Sequence, residues 1–524
     1  MRSKFWARVS PNLLLAVILL GSLALRVWGS GFGLPAYTLY HPDEQALVNR
    51  AAQVLWTGDW NLHRFNYPPL YAYLQVGGYA AYFLWGVAQG TWEQLMPFTL
   101  PQYYHIGRLM TALFGILTIL VVYLVGRGIR GRRTGLLAAA LLGGSYLHVI
   151  HSHYATFDVM VAFLVALTLL FSELIRTRGE AKWYLLAGLC AGLAGATKYN
   201  GAIVIILPLL AHVLATPWGE WGWLNGRLAL AIGGFLAGFF GGNPFALGNL
   251  PDFLNGLATV LSHYSTEQPG FEGRGNWRWY IRVFFTSADA LWIGTGVLGL
   301  GSIVWREWRK GLLLVAFPLA YFFMVSHFVV RFERNLVPLL PFLSLGGGWL
   351  LDGLAGWLVR RLRHSEVLSH GLAAIGAALI LALPVSASIS LDQALSHTDL
   401  REIAGQWVED NIEPGSRIAI EHYSIPFDHT EYQVQDVMRI TDHGVDWYEQ
   451  EKFDILIISD GVWEVLRRDP QSYTDKLTAY QDLVGNCTLL AEFVPAPPRI
   501  AVAGYPTVAV YHFAPVRIYR LPSG

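Results

Sequence analysis

Twelve apolar runs follow one another through the first three quarters of the chain, near 12–28, 71–88, 106–126, 135–150, 156–175, 183–198, 200–216, 228–244, 290–305, 311–328, 336–351 and 371–391. At about 1.5 Å per residue, helices of this length cross or nearly cross a hydrocarbon core about 30 Å thick. Of the 524 residues 54% are hydrophobic and only 14% charged, with a mean hydropathy of +0.39. A soluble domain carries roughly 25% charged residues and rarely leaves large apolar patches in water. The chain is therefore read as an integral, multi-pass protein of the plasma membrane.

Basic clusters fix the expected orientation. Arg127/Arg130/Arg132/Arg133, Arg176/Arg178/Lys182, Arg306/Arg309/Lys310 and Arg360/Arg361/Arg363 lie between runs, and excess Lys and Arg mark cytoplasmic loops. Arg2, Lys4 and Arg8 place the N-terminus inside as well, before a first run read as a retained span. From the outside after that span to the inside at Arg127 takes an odd number of crossings, yet two runs intervene. The run 71–88 is the weaker, with Tyr71, Tyr73, Tyr79 and Tyr82 and the interruptions Gln75 and Gly77-Gly78, and amphipathic aromatics favour the interface. It is expected to lie on the outer surface, leaving about eleven spans and an outside tail. Small-residue stretches such as Ala187–Ala196 and Gly233–Gly242 suit close helix packing in lipid.

The expected fold class is thus an all-α polytopic membrane core, residues 1–391, with external loops at 30–105 and 245–289. A small extracytoplasmic α/β domain follows at 392–524. In that tail, Thr398–Asn411 reads as an amphipathic helix, Arg417–Glu421 and Phe453–Ser459 as strands, Trp463–Tyr480 as helical and Thr507–Phe513 as a final strand. The tail shows no phosphate loop, nucleophile elbow or metal spacing. No basic stripe points to nucleic acid, and Cys190 and Cys487 suggest neither a disulfide nor a metal site.

Near a membrane, ionisable residues that do not anchor loops are the informative ones. Here they gather on the external side. The first outer loop holds Tyr40-His41-Pro42-Asp43-Glu44, then His63-Arg64 and Asn66-Tyr67-Pro68-Pro69-Leu70. The outer end of the third span holds His148, His151 and His153, and Asp158 opens the fourth. Lys198 sits in the turn between the fifth and sixth, and Arg331, Glu333 and Arg334 between the ninth and tenth. The loop 245–289 adds His263, Glu267, Arg274 and Arg278. Each residue has a structural alternative. Pro42-Asp43-Glu44 is good helix-start chemistry, Asp158 can cap a helix, Lys198 and Arg331 can snorkel to headgroups, and His151-x-His153 is a metal pair only if the side chains converge. Their coincidence on one face points to a site.

Asp43-Glu44, Tyr67-Pro68-Pro69-Leu70, His151-Ser-His-Tyr-Ala-Thr-Phe-Asp158, Ala196-Thr-Lys-Tyr-Asn200 and Arg334-Asn-Leu-Val-Pro-Leu-Leu-Pro341 together resemble the C-type glycosyltransferase superfamily. The likeness is greatest to prokaryotic relatives of the protein O-mannosyltransferases and of the lipid A aminoarabinose transferase, over about residues 10 to 390. It implies an inverting enzyme that takes a sugar from a polyprenyl-phosphate carrier to an acceptor hydroxyl on a protein, glycan or lipid outside the membrane. It further implies Asp43 as catalytic base, Glu44 as the neighbour shaping the acceptor or metal environment, and Asp158 as a second acid. Lys198, Arg331 and Arg334 fall where cations meet the lipid phosphate. Tyr67-Pro68 stands where the aminoarabinose branch has Glu-Lys before the proline, so His63, Arg64 or Asn66 are expected to substitute. Metal dependence varies in the superfamily, and a divalent ion or the lipid phosphate at His151 and His153 is left open. No Asp-x-Asp pair or Walker-type loop is present, and a lipid-activated donor needs neither. Two competing readings are a transporter or flippase, which would bury its charges near the midplane, and a membrane-anchored protein that binds through its tail.

Overall fold

The computed structural model describes residues 10–34, 41–91, 99–216, 226–266, 276–363, 366–421, 424–427, 429–467, 473–494 and 514–522. These form a helical core followed by a small domain built on one sheet. Five described segments are long and apolar enough to cross a membrane, carried by Leu100–Ile129, Asp158–Arg178, Trp308–Ser326, Leu340–Arg361 and Glu366–Leu395. Two bent pairs raise the number to seven. Pro11–Val27, Tyr199–Ala215 and Gly226–Gly242 are shorter apolar helical segments. Length and composition thus account for five to seven of the eleven spans expected, because bends and short helices break several runs.

One of those bends shapes the site. The third run is not straight: Arg132–Gly143 and Tyr146–Ser152 meet at 60°. Gly143-Gly144-Ser145 supplies the break, and a Cβ at Gly143 would lie 2.3 Å from the Ser22 hydroxyl. Breaking a helix orphans carbonyls on one side and N–H groups on the other. Arg26, fully buried in Pro11–Val27, donates to the Gly143 carbonyl at 3.0 Å and lies 2.9 Å from His148 Nδ1. Asp289 accepts from the Tyr146 N–H at 2.9 Å, the Leu147 N–H at 2.8 Å and Trp292 Nε1 at 2.6 Å. The short helix is therefore pinned at its start by a carboxylate from the other bent pair, Trp277–Thr286 and Ala290–Arg306, which meet at 117°. Asp289→Ala leaves three buried N–H groups without an acceptor. It is expected to cost about 1–3 kcal/mol or more, read as a lower unfolding temperature in detergent.

The two small-residue stretches pack against each other. A Cβ at Gly188 would lie 2.0 Å from the Ala231 carbonyl oxygen, and one at Gly192 2.1 Å from that of Phe235. Only glycine permits this backbone approach, the packing that replaces a hydrophobic driving force in lipid. The run 71–88 is a helix, Leu70–Ala88. The stretch 245–289 contains two amphipathic helices among its described residues. Leu250–Ser265 exposes Leu250, Leu254 and Leu261; Trp277–Thr286 exposes Trp277, Ile281 and Phe285 while burying Tyr280, Val283 and Phe284. Such faces suit the lipid–water boundary.

The last core helix runs to Leu395. Beyond Leu400–Asn411 the sheet has the order β2-β1-β3-β5-β4, formed by β1 (Arg417–Glu421), β2 (Gln433–Val437), β3 (Ile455–Ser459), β4 (Thr488–Phe493) and β5 (Val516–Arg520). β2, β1 and β3 run parallel, and β5 and β4 return antiparallel. Ala404 and Val408 cover one face and Trp463 and Tyr480 the other, which is why β3 is buried along its whole length. The expected strand Thr507–Phe513 lies outside the described residues. Helices occupy Asp460–Arg467 and Thr474–Gly485. Doubly wound sheets bind ligands beyond the carboxyl ends of the strands where the order reverses, here between β1 and β3. That position is filled from within: the Glu421 carboxylate accepts from the Ile440 N–H, the Ser459 N–H and Trp463 Nε1 at 2.9, 3.1 and 3.2 Å.

Candidate active site

The helix Pro42–Thr57 begins as its sequence dictates. His41 is the N-cap, its Nδ1 accepting from the Asp43 N–H at 3.2 Å, and Pro42 opens the first turn. Adjacent helical residues diverge by about 100°, and the two acids part accordingly. Glu44 turns into the protein. Its oxygens accept from Arg108 Nε at 2.9 Å, Arg108 Nη2 at 3.0 Å and the Ala155 N–H at 2.7 Å. Arg108 in turn donates to the carbonyls of Ser30 and Phe32. With both side chains 1–2% exposed, the pair is a buried strut, and Glu44 is occupied by it rather than by an acceptor.

Asp43 faces the cluster. Its Oδ1 accepts from the Tyr67 hydroxyl at 3.2 Å, and Arg334 Nη1 lies 3.0 Å from Oδ2. The ion pair lacks hydrogen-bond alignment, so Oδ2 has no hydrogen-bond donor among the described residues. Burial alone would raise this carboxyl, but Arg334, His41, Lys198 and the Tyr67 hydroxyl outweigh it and hold Asp43 below the usual carboxylate range. His41 is pushed down by burial first, against Asp43 and with Arg334, so its ring is neutral near pH 7.

A second pair lies beside the first. Asp158 is the first residue of Asp158–Arg178 and is 1% exposed. Lys198 caps the end of Ala181–Thr197 in extended conformation, and its Nζ reaches Asp158 Oδ1 at 2.8 Å and Asn335 Oδ1 at 3.2 Å. Asp158 Oδ2 has no hydrogen-bond partner among the described residues. Arg334 and Asn335 are consecutive in the 3₁₀ helix Glu333–Leu339, so one turn touches both carboxylate–cation pairs. His151, delivered by the short helix, feels Asp158, His41, Arg334 and Lys198.

The structure thus brings together Asp43, Asp158, Lys198, Arg334 and His151, and leaves other expected residues elsewhere. His63 is exposed and pairs with Asp59 at 2.8 Å, and Arg64 is exposed beside it. Arg331 donates to Asn276 Oδ1 and lies over the Trp279 ring. His153 is within hydrogen-bond distance of the Trp28 and Val149 carbonyls and lies 3.3 Å from Asp392. The two histidines do not converge, because residues two apart at the end of a helix point to nearly opposite sides of it. Among the described residues no three His, Cys, Asp or Glu side chains group to hold a metal. Glu267 and Arg274 lie outside the described residues.

Sequence reasoning passed over Asn335 and Arg108. Arg108 carried a signal, a lone charge at the start of an apolar run. Asn335 had only its place after Arg334.

A sequence model of the dolichyl-phosphate-mannose-protein mannosyltransferases matches residues 105–240, which include His151, Asp158 and Lys198. The structure is similar to that of ArnT from Cupriavidus metallidurans bound to undecaprenyl phosphate, with a TM-score of 0.52, 18% identity and 97% of each chain covered. At this identity the likeness is one of fold. The apo oligosaccharyltransferase of Archaeoglobus fulgidus matches at a TM-score of 0.54 and 13% identity, over 87% of this chain and 70% of that one. The same organism's AglB with an inhibitory peptide and a dolichol-phosphate matches at 0.52 and 13%, over 94% and 73%. Sequence comparison with curated proteins finds no match. These likenesses show a similar fold over most of the chain.

Proposed function

We propose that this protein is an inverting membrane glycosyltransferase, moving a sugar from a polyprenyl-phosphate carrier to an acceptor hydroxyl on the outer face of the cell membrane. The observation that carries the reading is the meeting of two carboxylate–cation pairs, Asp43–Arg334 and Asp158–Lys198, at one 3₁₀ turn. The proposed orientation keeps the N-terminus in the cytoplasm and the C-terminal domain outside, with eleven spans and Leu70–Ala88 on the outer surface.

Displacing a phosphate from an anomeric carbon needs a base for the acceptor and positive charge for the leaving group. Asp43 Oδ2 takes the acceptor's proton as the acceptor oxygen bonds to the anomeric carbon. The bond from that carbon to the phosphate oxygen breaks on the opposite face, and its electron pair leaves with the phosphate. Arg334 and Lys198 bind that phosphate, and Asp158 and Asn335 hold Lys198 in position. An apolar groove of about 640 Å³, lined by Leu319, Phe322, Phe323 and Trp277 among others, suits the prenyl chain. It shares the helix Trp308–Ser326 with the buried Tyr321. With the histidines divergent, no step is assigned to a metal.

The test is incubation of purified protein with radiolabelled polyprenyl-phosphate sugars and a membrane extract as acceptor. Label is expected to leave the lipid carrier; retention of every donor contradicts the reading. A second expectation concerns pH. kcat/KM reports the free enzyme, in which Arg334 keeps Asp43 ionised. Since the carboxyl is lowered, base activity falls only below its ordinary range near about pH 4. The profile from pH 5 to 7 should show no acid limb from Asp43. In Arg334→Gln, burial acts unopposed by the guanidinium, the carboxyl rises, and an acid limb should move up toward neutrality.

A further inference from the structure

Among the described residues, the His151 ring makes no hydrogen bond to the protein. It is 3% exposed, and neither ring nitrogen has a hydrogen-bond partner among the described residues. Its neighbours differ: His148 Nδ1 is 2.9 Å from the Arg26 guanidinium, and His153 lies between two backbone carbonyls. Burying an imidazole with both nitrogens unsatisfied costs free energy that phenylalanine or leucine at the same place would not. The position is not slack either. Asp289 fixes the start of the helix, and the Tyr154 ring packs at 6.0 Å against His151 and at 4.8 Å against His41. An imidazole held rigidly, unbonded, among Arg334, Lys198 and Asp158 is prepared for a ligand.

We propose that His151 contacts the donor itself. One ring nitrogen donates its hydrogen to an oxygen of the lipid phosphate, between the two cations, and the other accepts from a hydroxyl of the sugar. This rests on the transferase reading and adds to it a third donor for the phosphate that neither charge pair supplies. No proton is transferred by His151 in this role: it positions the leaving group while Asp43 takes the acceptor's proton.

The experiment is titration of the full-length protein in detergent with undecaprenyl phosphate and, in parallel, with the phosphate-free polyprenol, alongside thermal unfolding without ligand. His151→Phe removes both nitrogens and keeps an aromatic ring. It is expected to unfold at the wild-type temperature or above it, to bind the phosphate lipid roughly ten- to a hundredfold more weakly, and to bind the polyprenol as wild type does. Equal binding of the phosphate lipid by wild type and variant overturns the proposal and leaves the transferase reading standing. No binding by wild type overturns both. Should the phenylalanine variant fail to fold, His151→Leu, smaller in width, decides in its place: unchanged phosphate binding there also overturns the proposal, and phosphate-specific loss supports it.

Discussion

Asp43→Asn is expected to lower sugar transfer by roughly 10²–10⁴-fold, the usual contribution of a positioned base, while the protein folds and still binds its donor. Asparagine keeps the shape of the side chain and an oxygen for the Tyr67 hydroxyl, so the start of Pro42–Thr57, capped by His41, is undisturbed. It loses the proton-accepting carboxylate and the ion pair with Arg334. Freed of its partner, Arg334 remains available to the phosphate, and donor affinity should hold or rise. Measured together, turnover and undecaprenyl-phosphate binding separate a lost base from a lost binding site. Equal turnover by variant and wild type would move the base to Asp158, whose Oδ2 also has no partner among the described residues.

The acid next door should behave in the opposite way. Glu44→Ala leaves Arg108 buried without its bidentate partner and the Ala155 N–H without an acceptor. Removing one member of a buried ion pair typically costs about 3–5 kcal/mol, which is a large part of the stability of most domains. A marked fall in unfolding temperature and in yield is expected, and Arg108→Ala should match it. Any folded fraction of Glu44→Ala should retain more transfer per molecule than Asp43→Asn does. A stable Glu44→Ala variant with no activity would instead return Glu44 to the chemistry.

The difference between these two neighbours shows what could be read from the sequence. That Asp43-Glu44 starts a helix, that Asp158 opens another, and that Lys198 and Arg334 lie in turns near them followed from residue types and spacing. The helix Leu400–Asn411 and the strands β1 and β3 were likewise visible as periodic patterns. The resemblance named Asp43 as the base, and helix geometry turns its neighbour elsewhere; what holds Glu44 inward was not visible, because it is Arg108, sixty-four positions away in sequence. His151-x-His153 looked like a pair only if read as loop: at the end of the helix Tyr146–Ser152 and on its cap, residues two apart point to nearly opposite sides. The break before that helix had a local signal in Gly143-Gly144, but the carboxylate that stabilises it, Asp289, comes from a distant loop. β2 and β4 escaped notice because both are edge strands with mostly exposed side chains, so neither shows a clean apolar alternation.

The most direct measurement is a structure of the protein determined with a polyprenyl phosphate bound. The phosphate is expected between Arg334 and Lys198, with the prenyl chain along the groove at Phe322 and Phe323 and Asp43 turned to the side where an acceptor would enter. A phosphate bound away from both cations, with the Asp43–Arg334 and Asp158–Lys198 pairs unchanged, would contradict the assignment of this cluster as the active site.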